Sequence, residues 1–435
     1  MRFCLTKVPS LRSYSSLRSL FWLISEKAVQ IAFSAISVGL IARTLGVDAF
    51  GDFQYVLSVL FVFSSIALLV GSEVAAPILV EASSREQRRQ VLGSLFGVRL
   101  IVAGAAFLAL IVWAVIVEQE NYSTLLAILA LSLLITEPFN VFRLIREVQQ
   151  NTRIIAWIRI ASSFLKVILV YILYRKEATI LAFALLYSAE YFFVAFCYFF
   201  FVREEGRPWN WKVVAGKMIY FVRHGFFVWL GVLSMMAIQR LDRVAMEGWL
   251  PSELYGQYAA ALNLVDSAWF FGPVAVAALA PSIVYRDDSF FSGKGALKFL
   301  AMMMLIGLSV AIAVSLFAPF IVPLIFGRNF QITTTVVQVS IFILVPGFAA
   351  LSLDAVLVKS KQHRMVTLKW LAGLIVALSI LFMPWQGMSW ERGPLAIFAG
   401  YLVSFLCGLV AAVRYFVSSR NLGDAGGKDE NRTAL

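Results

Sequence analysis

The sequence predicts an all-α integral membrane protein of about twelve transmembrane helices. We expect two six-helix lobes related as parallel repeats, with both termini in the cytoplasm. Three observations support this fold class: the chain is far more apolar than a soluble protein, its apolar runs recur at the length of a membrane span, and one short segment is repeated half a chain later.

The composition is that of a membrane protein. Of the 435 residues, 61% are hydrophobic and 14% are charged, and the mean hydropathy is +0.84. A soluble domain has roughly 45–50% apolar and 25% charged residues. Runs of about 20 apolar residues, enough to span a bilayer, cover residues 20–42, 54–78, 92–117, 122–142, 154–174, 178–202, 224–245, 255–284, 299–323, 333–358, 370–386 and 394–413.

The net charge is +12, and the distribution of the basic residues indicates which side of the membrane each loop occupies. With the N-terminus inside, 26 of the 37 Lys and Arg residues fall in cytoplasmic segments and five fall on the opposite side. This bias follows the positive-inside rule and places both termini in the cytoplasm. The excess of basic residues therefore does not indicate a nucleic-acid partner.

The chain start and the cysteines add two further expectations. The basic N-terminal segment leads into a long apolar span without a small-residue cleavage site, which predicts an uncleaved first helix. Cys4, Cys197 and Cys407 have no paired spacing, and His224 and His363 stand alone. We therefore expect neither a disulfide framework nor a metal site.

A repeated segment indicates two lobes. "LGVDAFGDFQYV", Leu45–Val56, has a relative in "LPSELYGQYAAA", Leu250–Ala261, and the alignment places Gly51 on Gly256. The copies follow spans one and seven, so the offset equals six spans. An even number of spans places both copies on the same side of the membrane, which predicts parallel repeats.

The domain boundaries follow from the same pattern. The longest polar connection opens with "REEGRPWNWKVVAGKMIY" and lies between spans six and seven. We predict an N-terminal lobe over residues 1–202, a cytoplasmic linker over 203–223 and a C-terminal lobe over 224–417. The polar, Gly-rich tail, residues 418–435, is predicted to be disordered.

Charged residues inside the spans are the candidates for function. Each costs about 2.5–3.5 kcal/mol near a helix centre, so these side chains should line a cavity, pair with one another or extend to the surface. They are Lys27, Arg99, Arg159, Lys166, Arg240, Arg243, Glu26, Glu73, Glu137, Glu190, Asp242, Asp266 and Asp354. For Arg99, Glu73, Asp242 and Arg243, which lie near the span ends, we expect local pairing or snorkelling.

The basic residues suggest an anion site. Arg159 and Lys166 are seven residues apart in span five and therefore share a helix face. A positive face that runs inward from the cytoplasm suits an anionic ligand. Arg240 and Lys27, also basic and within spans, complete the predicted anion-binding set.

The acids suggest ion coupling. Glu190 and Asp266 are the acids nearest the bilayer centre, and Glu137 is a third intramembrane acid. Intramembrane carboxylates are frequent proton relays, so we expect these groups to carry a proton or a cation. The alternative is a permanent ion pair, for instance between Asp266 and Lys166.

Span eight contains a predicted helix break. In "NLVDSAWFFGPVAVAALAP", Asn263 and Asp266 share a face and Gly272-Pro273 follows a turn and a half later. Broken helices beside polar side chains are where transporters form binding sites.

An ordered set of segments carries a family resemblance. "ARTLGVDAFGDFQYV" after span one, "QRLDRVAMEGWLPSELYGQYAAA" after span seven and "PLIFGRNFQITTTVVQV" between spans nine and ten resemble Wzx-type oligosaccharide flippases of the multidrug/oligosaccharidyl-lipid/polysaccharide exporter superfamily. The resemblance covers roughly residues 16–418. The sequence departs from it in lacking a basic residue soon after Gly71 in span two.

The resemblance implies a non-enzymatic flippase of the bacterial inner membrane. Its substrate would be an undecaprenyl-pyrophosphate-linked oligosaccharide, moved from the cytoplasmic to the periplasmic leaflet by alternating access for O-antigen, lipopolysaccharide or other surface polysaccharide synthesis. No cofactor is implied, and proton or sodium coupling is open. Further partners would be membrane lipids, a polysaccharide polymerase and a chain-length regulator.

Three other functions remain alternatives. A multidrug exporter of the same superfamily should favour an acidic or aromatic cavity for cationic drugs, whereas the intramembrane set here includes Lys166 and Arg159. A glycan polymerase or ligase usually needs a sizeable periplasmic loop with catalytic residues, and every predicted outer loop is short. A non-catalytic scaffold would leave the intramembrane charges unexplained.

Overall fold

The computed structural model describes residues 13–117, 122–149, 151–202, 206–285, 293–384 and 389–430, with side chains described from Val29 to Ser418. These residues form helices and no β-strand. The helices are α1 Ser13–Ala67, α2 Ser72–Glu81, α3 Arg85–Ile116, α4 Ser123–Ala130, α5 Leu133–Val148, α6 Arg153–Arg175, α7 Ile180–Phe201, α8 Ala215–Met246, α9 Ser252–Trp269, α10 Phe271–Ala280, α11 Lys294–Phe326, α12 Gln331–Ser340, α13 Leu344–Lys359, α14 His363–Phe382 and α15 Arg392–Glu430.

The helical runs confirm the all-α membrane class. Within the described ranges, 11 runs are long and apolar enough to cross a bilayer. The first of them, Val29–Glu81, has 53 residues, which is more than two spans need. It divides at Gly46, whose φ of 75° and ψ of −179° are accessible to glycine and not to residues with a Cβ. The chain therefore crosses about twelve times.

Span eight is interrupted two residues before the predicted position. Helix α9 ends at Trp269 and α10 begins at Phe271, with Phe270 between them. Pro273 has no N–H, so the carbonyl of Trp269 cannot receive the helical hydrogen bond that any other residue at 273 would donate. The proline that motivated the prediction thus explains the break on its N-terminal side.

We use "N-terminal half" for α1–α7 and "C-terminal half" for α8–α15. The predicted lobe boundaries stay predictions, but the predicted linker packs on the N-terminal half. The Trp211 ring lies 5.5 Å from Phe142 and 6.0 Å from Phe96. Ser94 Oγ accepts a hydrogen bond of 3.0 Å from the Val214 amide. Helix α15 continues to Glu430, into the tail for which the composition predicts disorder; side chains after 418 lie outside the described residues.

The two copies of the repeated segment meet face to face. A Cβ on Gly51 would lie 3.0 Å from the Cα of Gly256, and a Cβ on Gly256 would lie 2.1 Å from the Val47 carbonyl oxygen. The glycines therefore permit a backbone contact between α1 and α9 that no larger residue allows. The repeat is where the two halves touch on the outer side, and we call this contact the outer seam.

A polar contact joins the same ends of the two halves. The Tyr122 hydroxyl oxygen lies 3.0 Å from a carboxylate oxygen of Asp52 and 3.0 Å from one of Glu247. Burial raises the pKa of the Tyr122 phenol, and both carboxylates raise it further. The phenol therefore stays protonated and donates to an acid of either half.

The halves also touch on the inner side. Trp229 of α8 donates its indole N–H to the Ser65 carbonyl oxygen at 3.0 Å, and a Cβ on Gly225 would lie 2.7 Å from the Leu69 carbonyl oxygen. Helix α8 is thus held against the end of α1, and Trp229 also lines the third of the polar cavities described next.

Candidate functional site

Three neighbouring cavities lie between and beside the halves. The first, of about 250 Å³, is lined by α1, α5, α6 and α7 and contains Arg159, Lys166 and Glu190. The second, of about 290 Å³, shares Lys166 with the first and reaches Arg240 and Asn263 of the C-terminal half. The third, of about 250 Å³, adjoins both of the others and is lined by α2, α3, α5 and α8.

Lys166 lies on the wall shared by the first two cavities. Its Nζ is 2.9 Å from Glu190 Oε2 and 3.5 Å from the centre of the Tyr187 ring. The sequence named the anion candidate Lys166 and the coupling candidate Glu190 separately, and the structure brings them together. The suggested pair between Asp266 and Lys166 is wrong, because α6 packs on α7 and presents Lys166 to Glu190 instead.

Arg159 shares the first cavity with Lys166, as the seven-residue spacing predicts. Its Nε donates to the Tyr198 hydroxyl at 3.0 Å. The first cavity therefore offers two cationic groups and one carboxylate, a surplus of positive charge that suits an anion.

Glu137 lines the second and third cavities. Its Oε1 accepts a hydrogen bond of 3.0 Å from Asn140 Nδ2. The Glu137 backbone carbonyl, 3.4 Å from Arg99 Nη1, ties the same residue to α3. The Asn140 amide thus orients the Glu137 carboxylate, and Arg99 contacts the same residue through its backbone.

In the C-terminal half, Asp266 is held by two arginines. Its Oδ2 lies 2.7 Å from Arg243 Nη1 and 3.0 Å from Arg240 Nη2. Arg243 is 1% exposed, whereas Arg240 lines the second cavity and lies 4.9 Å from the centre of the Phe61 ring in the N-terminal half. Arg240 therefore connects the half-buried Asp266 to the space between the halves.

The residues near the span ends pair locally. Asp242 is buried and accepts a 2.5 Å hydrogen bond from the Tyr258 hydroxyl. Arg99 is 4% exposed and donates twice to the Val70 carbonyl, at 2.9 and 3.3 Å. Pairing is therefore right and snorkelling is wrong for Asp242, Arg99 and Arg243, the last of which contacts Asp266. Glu73, the fourth residue of this set, is exposed. Arg99 also supplies, from α3, a basic group beside Gly71, where span two has none.

The structure contains a buried ion pair that the sequence does not predict. Lys369 precedes the predicted span 370–386, but it is 1% exposed and its Nζ lies 2.8 Å from Asp354 Oδ1. The Trp370 indole N–H donates to the same carboxylate at 3.1 Å. The apolar residues on both sides of Lys369 in "LKWLAGL" were the available signal, since they continue the span toward its N-terminal end.

Two further expectations concern Lys27 and a metal site. The side chain of Lys27 lies outside the described residues, so its place in the anion set stays a prediction. Among the described residues, no group of three or more His, Cys, Asp and Glu could hold a metal ion.

A family model described as "Polysaccharide biosynthesis protein" matches residues 16–285. An inward-facing multidrug resistance MATE transporter of the MOP superfamily has a TM-score of 0.70 at 14% identity, over 92% of this chain and 99% of that one. The lipid II flippase MurJ in an inward closed conformation has a TM-score of 0.61 at 12% identity, over 93% and 90%. An outward-facing MATE transporter has a TM-score of 0.57 at 15% identity, over 94% and 96%. No curated protein sequence matches the chain significantly.

Proposed function

The chain belongs to the polysaccharide biosynthesis protein family, and from that premise we propose that it is a lipid-linked oligosaccharide flippase of the inner membrane. The substrate is an undecaprenyl-pyrophosphate-linked repeat unit, moved to the periplasmic leaflet for O-antigen or other surface polysaccharide. The observation that supports this most is the cationic first cavity, in which Lys166 and Arg159 face a space between transmembrane helices.

The pair between Lys166 and Glu190 gives the anion a way to bind. A pyrophosphate that approaches Lys166 competes with Glu190 for the ammonium group, because both are oxyanions. The polar hydroxyls and amides around the cavity accept sugar hydroxyl groups, and the lipid tail stays in the bilayer. Displacement of Glu190 then leaves a carboxylate without its cation, which favours uptake of a proton or a metal cation.

The substrate anion can also separate Asp266 from one of its cationic partners. Arg240 contacts both Asp266 and the second cavity, so an anion that draws Arg240 away leaves Asp266 with Arg243 alone. We assign Asp266, Glu190 and Glu137 to proton or sodium coupling on this ground. No cofactor is needed, since each step is an exchange of ion pairs. No catalytic role is proposed for any of these residues.

The anion site is tested with Lys166 variants in cells that lack their own flippase. Lys166→Ala should abolish surface glycan while the protein still inserts, and Lys166→Arg should retain part of it because the charge survives. Lys298→Ala, which removes an exposed lysine far from the cavities, is the matched control. Full activity of Lys166→Ala would contradict the proposal.

The coupling step is tested in vesicles that contain the purified protein. Substrate flipping is followed with and without an imposed proton or sodium gradient. Asp266→Asn should lose the response to the gradient and keep slow downhill flipping. A wild-type protein that responds to neither gradient would remove the coupling role from all three acids.

A multidrug exporter is the second candidate, since solved multidrug transporters have the same fold. The same vesicles distinguish the two functions. Export of a cationic dye without any flipping of lipid-linked glycan would favour the exporter. A polymerase and a chain-length regulator are proposed partners of the flippase and would be sought by crosslinking in cells.

A further inference from the structure

An apolar groove on the surface of the described structure has no role in the proposed transport. It lies where α3 of the N-terminal half runs beside α8 of the C-terminal half, and its volume is about 310 Å³. It is lined on α3 by Val98, Ile101 and Val102, and on α8 by Met218, Ile219 and Val222.

Gly97 of α3 lies next to the groove. A Cβ on Gly97 would lie 3.6 Å from Cε of Met218, which lines the groove, so a larger side chain at position 97 would press on that wall. Its walls face outward, since Ile101 is 64% and Ile219 is 67% exposed. In a membrane these exposed apolar walls contact lipid chains.

Arg223 lines the same groove and is its one charged residue. It is exposed, and it forms no hydrogen bond or ion pair with any residue that the structure describes. It lies about 12 Å along α8 from Ala215, at 1.5 Å per residue. Val222 and Phe226, its neighbours on α8, are exposed apolar residues.

Arg223 is the last residue of the segment that the charge bias predicts to be cytoplasmic, so it lies where α8 enters the membrane, at the level of the lipid phosphate groups. Basic residues at this position are attracted to anionic lipids. Arginine binds phosphate through two parallel hydrogen bonds. The other side chains that line the groove are apolar, as an acyl chain requires.

We propose that this groove binds an anionic glycerophospholipid of the inner leaflet, with one acyl chain between α3 and α8 and the phosphate group on Arg223. Net negative charge is the discriminating feature, because a zwitterionic lipid brings its own cation to compete with Arg223. The site is separate from the cavities that contain Lys166, so it does not depend on the proposed substrate.

The test is native mass spectrometry of the full-length protein in detergent, titrated with phosphatidylglycerol, phosphatidylethanolamine or undecaprenyl phosphate. Wild-type protein should retain phosphatidylglycerol in preference to the other two. Arg223→Gln should weaken phosphatidylglycerol binding about tenfold, which corresponds to about 1.4 kcal/mol. Arg414→Gln, which removes an exposed arginine outside the groove, should leave binding unchanged.

A second variant tests the groove itself. Gly97→Leu should lower retention of phosphatidylglycerol, whereas Gly104→Leu, at a position with nothing within 4 Å of an added Cβ, should not. Equal retention of phosphatidylglycerol and phosphatidylethanolamine, or unchanged binding in both Arg223→Gln and Gly97→Leu, would overturn the proposal. Preferential retention of undecaprenyl phosphate would also overturn it, since the occupant would then be the carrier lipid.

Discussion

The outer seam should be sensitive to a single methyl group. In Gly256→Ala the new Cβ would lie 2.1 Å from the Val47 carbonyl oxygen and 2.8 Å from the Val47 carbonyl carbon. Both atoms belong to the backbone, which cannot turn aside as a side chain can. An ordinary contact is about 3.5 Å, so α1 and α9 must separate by roughly 1 Å or more.

The size of the effect follows from two opposing terms. Alanine is about 1 kcal/mol better than glycine inside a helix, but this gain is the same whether the seam is closed or open. Overpacking costs about 1–3 kcal/mol and applies only when α1 touches α9. The ratio of closed to open seam should therefore fall by about fivefold to a hundredfold, at about 1.4 kcal/mol per factor of ten.

The assay is a distance measurement between spin labels at Asp48 and Glu253, in protein whose 3 cysteines are replaced by serine. Gly256→Ala should add a population at longer distance. Gly51→Ala should have a smaller effect, because its Cβ would be 3.0 Å from the nearest atom, the Cα of Gly256.

The matched control is Gly104→Ala, a helical position with open space around an added Cβ. It should leave the distances unchanged. If Gly256→Ala folds and gives the same distance distribution as Gly104→Ala, the glycine contact does not hold the outer side closed, and the physical explanation given for the repeated segment is wrong.

Two further predictions concern topology and stability. A reporter fused after Glu120 should be periplasmic and one after Arg207 cytoplasmic, because of the excess of Lys and Arg in the predicted cytoplasmic segments; the reverse labelling pattern would overturn the assignment of sides. Asp354→Asn should lower the free energy of unfolding by about 3–5 kcal/mol, because it leaves the buried ammonium group of Lys369 unpaired. Adding Lys369→Met should recover much of this loss, as measured by thermal unfolding. If Asp354→Asn alone causes no loss, the pair does not stabilise the fold.

Much of the fold is readable from the sequence because hydrophobic length and charge bias are local properties. Span number depends on runs of apolar residues, and topology depends on the basic residues between them. The helix break near Pro273 follows from one missing N–H. The repeated segment predicts two related halves, whereas the contact between its two copies is seen only in the structure.

Composition and the length of the apolar runs suffice to identify a multi-pass helical membrane protein with charged residues inside its spans, because both can be read from the chain without knowing how its helices pack. Which of those charged residues contact one another is visible only in the folded structure. Whether Lys166 faces Glu190 or Asp266 depends on the rotation and tilt of α6 against its neighbours, and these are set by packing between helices distant in sequence. The same packing buried Lys369 and left Arg223 exposed.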